Sequence, residues 1–193
     1  MVRNKIVWDK EVIEPLSMVV QARAFPGAFR KAQVLVMRDS HSPSLQTVWV
    51  HPPNGVIKLN FDGAVLGVRQ GIGTGVIARN ENGHYVGWLS KFFSAIHDPK
   101  RAEALAAHEA MELSIRMGWR EIILEEDCLQ VISKLRSPNT NSSFISSLVS
   151  DIKCLVSNFI CVSFSHVKRA GNRVAHSLAR LATSSHEGSV DHP

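Results

Sequence analysis

Apolar residues near the start of the chain fall at helical spacing. Between Lys10 and about Phe25 they are Ile13, Leu16, Val20 and Ala24; Pro26-Gly27 interrupts them, and a second short helical stretch follows around Phe29 to Val36. The next segment, RDSHSPSLQTVWVHPPNG, is rich in Ser, His and Pro, and its Pro52-Pro53 and Asn54-Gly55 pairs forbid a continuing helix. The pattern therefore divides the chain into a helical lead-in and linker over 1–46, one domain over 47–184 and a polar tail over 185–193.

Within the domain the period changes. In VIKLNFDGAV (56–65), Ile57, Leu59 and Phe61 alternate with Lys58, Asn60 and Asp62, as in a strand with two unlike faces. GTGVIARN (73–80) and GHYVGWLSKFF (83–93) read as two more strands of an antiparallel meander, with Asn82-Gly83 supplying the hairpin turn. PKRAEALAAHEAMELSIRMG opens on a proline, is dense in Ala, Glu, Leu and Met, and stops at Gly118, which predicts a well-terminated helix. A short buried strand (120–125), a helix (127–136), an amphipathic helix through Ile145–Val156, an alternating strand (159–167) and a helix beginning near Asn172 complete the order βββαβα(α)βα. Late strands separated by helices imply a mixed α/β sheet, three antiparallel strands followed by parallel ones, flanked by helices.

Composition narrows the class. The chain has 193 residues, 45% hydrophobic and 20% charged, enough for one ordinary core with an appendage. A net charge of +5 and a pI near 9.4 suit a polyanionic partner without requiring one. Cys128, Cys154 and Cys161 have neither CxxC nor zinc spacing, so no disulfide framework or structural zinc site is expected and a reducing compartment is the natural reading. The start breaks each short apolar run with a charge, and nowhere is there an apolar run near the ~18 residues that span a bilayer. A soluble, intracellular protein with no membrane contact is expected, nucleus or cytoplasm unresolved. The glycines of GIGTG lack the helix and Lys-Ser/Thr of a phosphate loop and read as aids to close packing. Trp88 and Trp119 read as core, and an aromatic content of 7% argues against a single-strand binder built on stacking.

Three acids stand out. Asp62 lies on the first strand, Glu103 early in the long helix and Asp127 just past the fourth strand. If the first and fourth strands are neighbours, the three converge, and cations must offset their repulsion; an all-oxygen set favours Mg²⁺ or Mn²⁺. Each has a local explanation when taken singly: Asp62-Gly63 as a turn, Asp127 as a helix cap, Glu103 as a complement to the helix dipole. Strand alternation places Glu125 on the same side as Asp127 and Glu126 on the opposite side, which makes Glu125 the alternative ligand.

The ordered segments FDGA, RAEALAA, LEEDC and HVKRAGNRVAHSLAR resemble the successive signatures of the ribonuclease H-like superfamily, in a type-one domain covering roughly 49–182. The lead-in WVHPPNGVIKLNFDGAV and the GxGxVIARNENG hairpin look like the plant domains related to non-LTR retrotransposon polyproteins. The resemblance implies a five-stranded mixed sheet and a two-metal endonuclease that hydrolyses the RNA strand of RNA/DNA hybrids. Carried over, Asp62 would bridge two divalent ions, Glu103 and Asp127 would hold the ion on the leaving-group side, and the fourth acid falls on His176. Asn172 and His166, four and ten residues earlier, match the family pattern and fix that register.

A neutral imidazole is a poorer Mg²⁺ ligand than a carboxylate, so the second ion site is in doubt and weakened, manganese-leaning activity is expected. The resemblance also makes His166 the mobile histidine near the leaving phosphate. Lys168, Arg169, Asn172 and Arg173 would contact the substrate backbone, which is read by shape and 2′-OH groups. His176 could instead be an ordinary inward-facing histidine, and Lys168 and Arg169 a solvated turn. The SPNTNSS loop is short and uncharged where longer members carry a basic protrusion, so low substrate affinity is expected. Two other readings stay open. One is a domesticated retroelement module that binds nucleic acid without turnover; the other is a protein-docking role for residues 10–36, which could also be the remnant of a larger polyprotein.

Overall fold

The computed structural model describes residues 49–67, 71–94, 98–137 and 146–182 in full, and the backbone of 186–189. The lead-in helices expected over 10–36 and most of the 137–143 loop lie outside the described residues.

Six strands form one sheet in the order β5-β4-β1-β2-β3-β6. They are β1 (Ile57–Leu66), β2 (Gly71–Arg79), β3 (Tyr85–Ser94), β4 (Glu121–Glu126), β5 (Cys161–His166) and β6 (His186–Ser189). The meander β1-β2-β3 is antiparallel, while β1 with β4 and β4 with β5 are parallel. The five predicted strands and their mixed pairing are present. The sixth is an addition: β6 pairs antiparallel with β3 inside the segment expected to be only a polar tail. Four residues of polar composition carry no alternation long enough to read.

The helices are α1 (Pro99–Arg116), α2 (Leu129–Arg136), α3 (Ser146–Leu155) and α4 (Arg173–Leu181). Asp98 caps α1 by accepting from the Lys100 N–H with Pro99 beside it, and Gly118 leaves the helix at φ +70°, a backbone state that favours glycine. The β2–β3 turn is closed by Asn80, whose Oδ1 accepts from the Asn82 and His84 N–H groups, with Gly83 at φ +76°. Among the described residues no helix is long and apolar enough to cross a membrane.

Strand alternation sorts the two faces. Leu59, Phe61, Val76, Leu89, Ile122 and Leu124 meet Met111, Ile132 and Ile152 under α1, α2 and α3. On the other face Ile77 and Trp88 meet Ala175 and Leu178 of α4. Each fully buried large apolar side chain contributes about 1.5–3 kcal/mol, which makes the first face the main source of stability. Helix α4 is short and approaches closely because β2 offers glycines: a Cβ on Gly75 would lie 2.3 Å from the Ala175 carbonyl oxygen. Gly63 does the same for α1, since a Cβ there would fall 2.2 Å from the Ala102 carbonyl carbon.

Candidate active site

Gly75 is the register partner of Asp62, so the two close approaches bring α1 and α4 onto β1 at neighbouring residues. Asp62 is fully buried between them. Parallel pairing with β1 carries β4 alongside, so Asp127, one residue past β4, reaches the same place. The single guanidinium of Arg169 joins the two acids: Nη1 donates to Asp62 Oδ1 at 3.1 Å and to Asp127 Oδ2 at 2.8 Å.

His176, in the first turns of α4, also enters this cluster. Its Nδ1 lies 2.9 Å from Asp62 Oδ2. That contact puts a proton on Nδ1, and in the neutral ring Nε2 is then the nitrogen that accepts from Arg169 Nη2, at 2.9 Å. Asn172, expected to touch substrate, is instead fully buried; its Nδ2 donates to the Phe61 carbonyl at 2.8 Å and, more weakly, to Asp127 Oδ1 at 3.4 Å. It straps α4 to β1 and holds Asp127. This corrects its assignment as a substrate contact, because an amide with no exposed surface cannot reach a ligand.

Glu103 leans in from α1, where its Oε2 accepts from the Gly63 N–H at 2.7 Å. Glu126 is the residue the strand reading passed over. It is fully buried on the α1 side, and Asp62, Glu126 and Asp127 each present an oxygen within 4.8 Å of the others, a group able to hold a metal ion. Alternation does set Glu126 on the face opposite Glu125, but β4 ends at Glu126 and the chain turns at Asp127, so carboxylates from both faces come within reach of one another there. The turn also defeats the capping explanation for Asp127: the N-cap of α2 is Cys128. Glu125, the alternative ligand, is committed elsewhere, with Lys58 Nζ at 3.0 Å from its Oε1 and Asn60 Nδ2 at 2.9 Å from its Oε2.

The electrostatics follow from this crowding. Burial, and then the charge of Asp62, push the Glu103 carboxyl up to about 7. Burial and the facing Glu103 push Glu126 up to about 10. As an ionised group Glu126 has no hydrogen-bond partner among the described residues. The nearby Cys128 N–H favours its charged form, and a proton held on Glu126 can be shared with Glu103. Burial alone would lower the Arg169 guanidinium; the Asp127 hydrogen bond and the carboxylates around it reverse that and raise it.

The remaining predicted residues line the approach. His166, the last residue of β5, is exposed and donates from Nε2 to the Asp127 carbonyl oxygen at 3.1 Å. Lys168 is exposed on the turn before α4. A cleft of about 520 Å³ opens over the cluster, lined by Gly63–Gly67, Glu103, Arg169, His176, Arg180 and Leu181. Arg180 went unnoticed in the sequence, although it stands one helical turn beyond His176. Arg173 faces a neighbouring pocket of about 360 Å³ with Trp49, His51 and Arg79.

Residues 60–182 match a family model described as "Reverse transcriptase-like". Among solved structures the chain is similar to ribonuclease H1 of the halophilic archaeon Halobacterium salinarum, with a TM-score of 0.60 and 24% identity over 66% of this chain and 96% of that one. The N-terminal ribonuclease H domain of Rv2228c from Mycobacterium tuberculosis gives a TM-score of 0.60 and 18% identity, over 66% and 92% of the two chains. LC11 ribonuclease H1, a protein isolated from compost and solved in complex with an RNA/DNA hybrid, gives 0.59 and 19% over 65% and 95%. No curated protein resembles the chain closely enough to count as a relative.

Proposed function

The chain belongs to the reverse transcriptase-like family and has the ribonuclease H fold, and from that premise we propose that it is an endonuclease cutting the RNA strand of RNA/DNA hybrids, weakened by a histidine at the fourth ligand position. The observation that carries this reading is the convergence of Asp62 and Asp127 on one cation, the Arg169 guanidinium, at the mouth of an open cleft. A place that already accepts a positive charge between two carboxylates suits a hard divalent ion, Mg²⁺ or Mn²⁺. Asp62, Glu103 and Asp127 would hold such ions, with His176 as the poor fourth donor. When bound, they supply charge neutralisation and Lewis-acid polarisation of the phosphate.

The chain's own residues do the rest. Asn172 fixes the spacing of Asp62 and Asp127 through Phe61, and Glu103 is aimed by the Gly63 N–H. His166 stands exposed beside Asp127, where an imidazole can take or give a proton at the leaving oxygen. Lys168, Arg169, Arg173 and Arg180 give the cleft the positive rim that a phosphate backbone needs next to carboxylates. The hybrid bound by the LC11 ribonuclease supports the substrate class. The lead-in and hairpin sequences support the plant, retrotransposon-related subtype.

His176 and the inward Arg169 favour one second reading, a domesticated module that binds hybrid without cutting it. Incubating the full chain with a labelled hybrid in Mg²⁺ and in Mn²⁺ separates the two. Weak cutting, stronger in Mn²⁺, is expected. Asp62→Asn should remove it by more than the ~100-fold that outer-shell partners of a metal site cost. Binding without cutting in either metal would establish the second reading instead.

A further inference from the structure

Glu126 is fully buried, as a carboxylate it has no hydrogen-bond partner among the described residues, and it faces the space bounded by Asp62 and Asp127. A buried carboxylate without a partner costs several kcal/mol, so its place calls for a cation or a proton. The cations that meet its neighbours are engaged elsewhere: Arg169 donates to Asp62, Asp127 and His176, and Lys58 to Glu125 and the Val50 carbonyl. Resting on the metal-dependent reading above, we propose that Glu126 is a divalent-cation ligand, joining Asp62 and Asp127 from the end of β4 and supplying the fourth carboxylate that His176 withholds from α4.

The distances suit such an ion. Two oxygens on opposite sides of Mg²⁺ stand about 4.2 Å apart, so a spread of no more than 4.8 Å closes with sub-ångström shifts of side chains. The charge count suits it too. With Glu126 included the site holds four carboxylates, Asp62, Glu103, Glu126 and Asp127, the number the ribonuclease H pattern leads one to expect. The ligand set is thereby moved from α4 toward β4 and α1, with His176 left as an accessory donor.

Mn²⁺ titration calorimetry on the full chain tests this, comparing the unmodified protein with Glu126→Gln, Glu126→Ala, His176→Ala and Asp62→Asn, each first checked for a cooperative melt in chelator. Glu126→Gln should weaken Mn²⁺ binding by about tenfold or more, and His176→Ala by no more than about threefold. With Eu³⁺ as a luminescent probe, Glu126→Ala should add about one coordinated water. If the alanine variant does not fold, the isosteric and neutral glutamine variant carries the test. Mn²⁺ affinity unchanged in Glu126→Gln but lost in Asp62→Asn would overturn the proposal, leaving Glu126 as a protonated partner of Glu103 and the metal site intact. Absence of Mn²⁺ binding by the unmodified chain would overturn both.

Discussion

Two buried polar clusters lie along the same pair of strands, and they settle their charges in opposite ways. Toward the start of β1, Glu125 is paired with Lys58 at 3.0 Å, held by Asn60, and bordered by Arg79 and Trp49. Lys58 and Arg79 both stand within 5.3 Å of the Trp49 ring. Each strong donor or acceptor there has a partner of opposite character. A few residues farther on stand four carboxylates, Asp62, Glu103, Glu126 and Asp127, with one guanidinium that reaches Asp62 and Asp127 and one imidazole that reaches Asp62. In the first cluster two cations stand by one carboxylate, so no negative charge is left to attract a metal ion, and the second holds an excess of negative charge that only a proton or an added cation can relieve. Charged residues at similar depth thus serve architecture in one place and chemistry in the other.

The contrast can be broken from either side. Asp62→Asn, the largest effect on turnover, acts on the unbalanced cluster and should leave the melting behaviour in chelator nearly unchanged. Lys58→Met acts on the balanced one: it strands Glu125 without its charge and should cost about 3–5 kcal/mol of stability by denaturant unfolding, with Mn²⁺ affinity preserved. A loss of Mn²⁺ binding in folded Lys58→Met would mean the clusters are one unit. His176→Asp adds a carboxylate where the family pattern has one and should raise Mg²⁺-dependent cleavage by roughly tenfold, the scale on which one donor tunes a metal site; unchanged cleavage would place residue 176 away from the ions.

The smallest expected effect is on stability against pH in chelator. Glu103 and Glu126 are raised to about 7 and about 10 from an ordinary value of 4.5, so the folded state keeps protons that the unfolded chain releases. Their contribution is therefore fully present below about 4.5 and is lost as pH rises through 7 toward 10. Unfolding free energy should fall from pH 5 to pH 9, and Mn²⁺ should flatten the fall. A flat profile in chelator would show that the cluster's repulsion is relieved by other means.

Much of this was legible in one sequence. The alternation through Ile57–Asp62, the Asn82-Gly83 turn and the Pro99 and Gly118 helix limits are local signals, and each element appears where they indicated. Convergence of Asp62, Glu103 and Asp127 followed from strand order. What escaped depends on one-residue geometry or on contacts distant in sequence. Glu126 was set aside because alternation turns it to the face away from Asp127, and only the assembled end of β4 brings the two carboxylates within reach of each other. Asn172 was given to the substrate because its bond to Phe61 spans 111 positions. Arg169 stands at the rim as placed, but its bonds to Asp62 and Asp127 join residues 107 and 42 positions apart, which no local pattern announces.

Gly63, Gly73 and Gly75 give this domain its least forgiving positions. At these positions two helices rest on the sheet backbone against backbone. An added methyl at any of them would lift a helix and widen the gap between its residues and Asp62. The chemistry above can drift, a histidine taking one seat and a glutamate another, because the ruler that sets the spacing is made of residues with no side chain to vary.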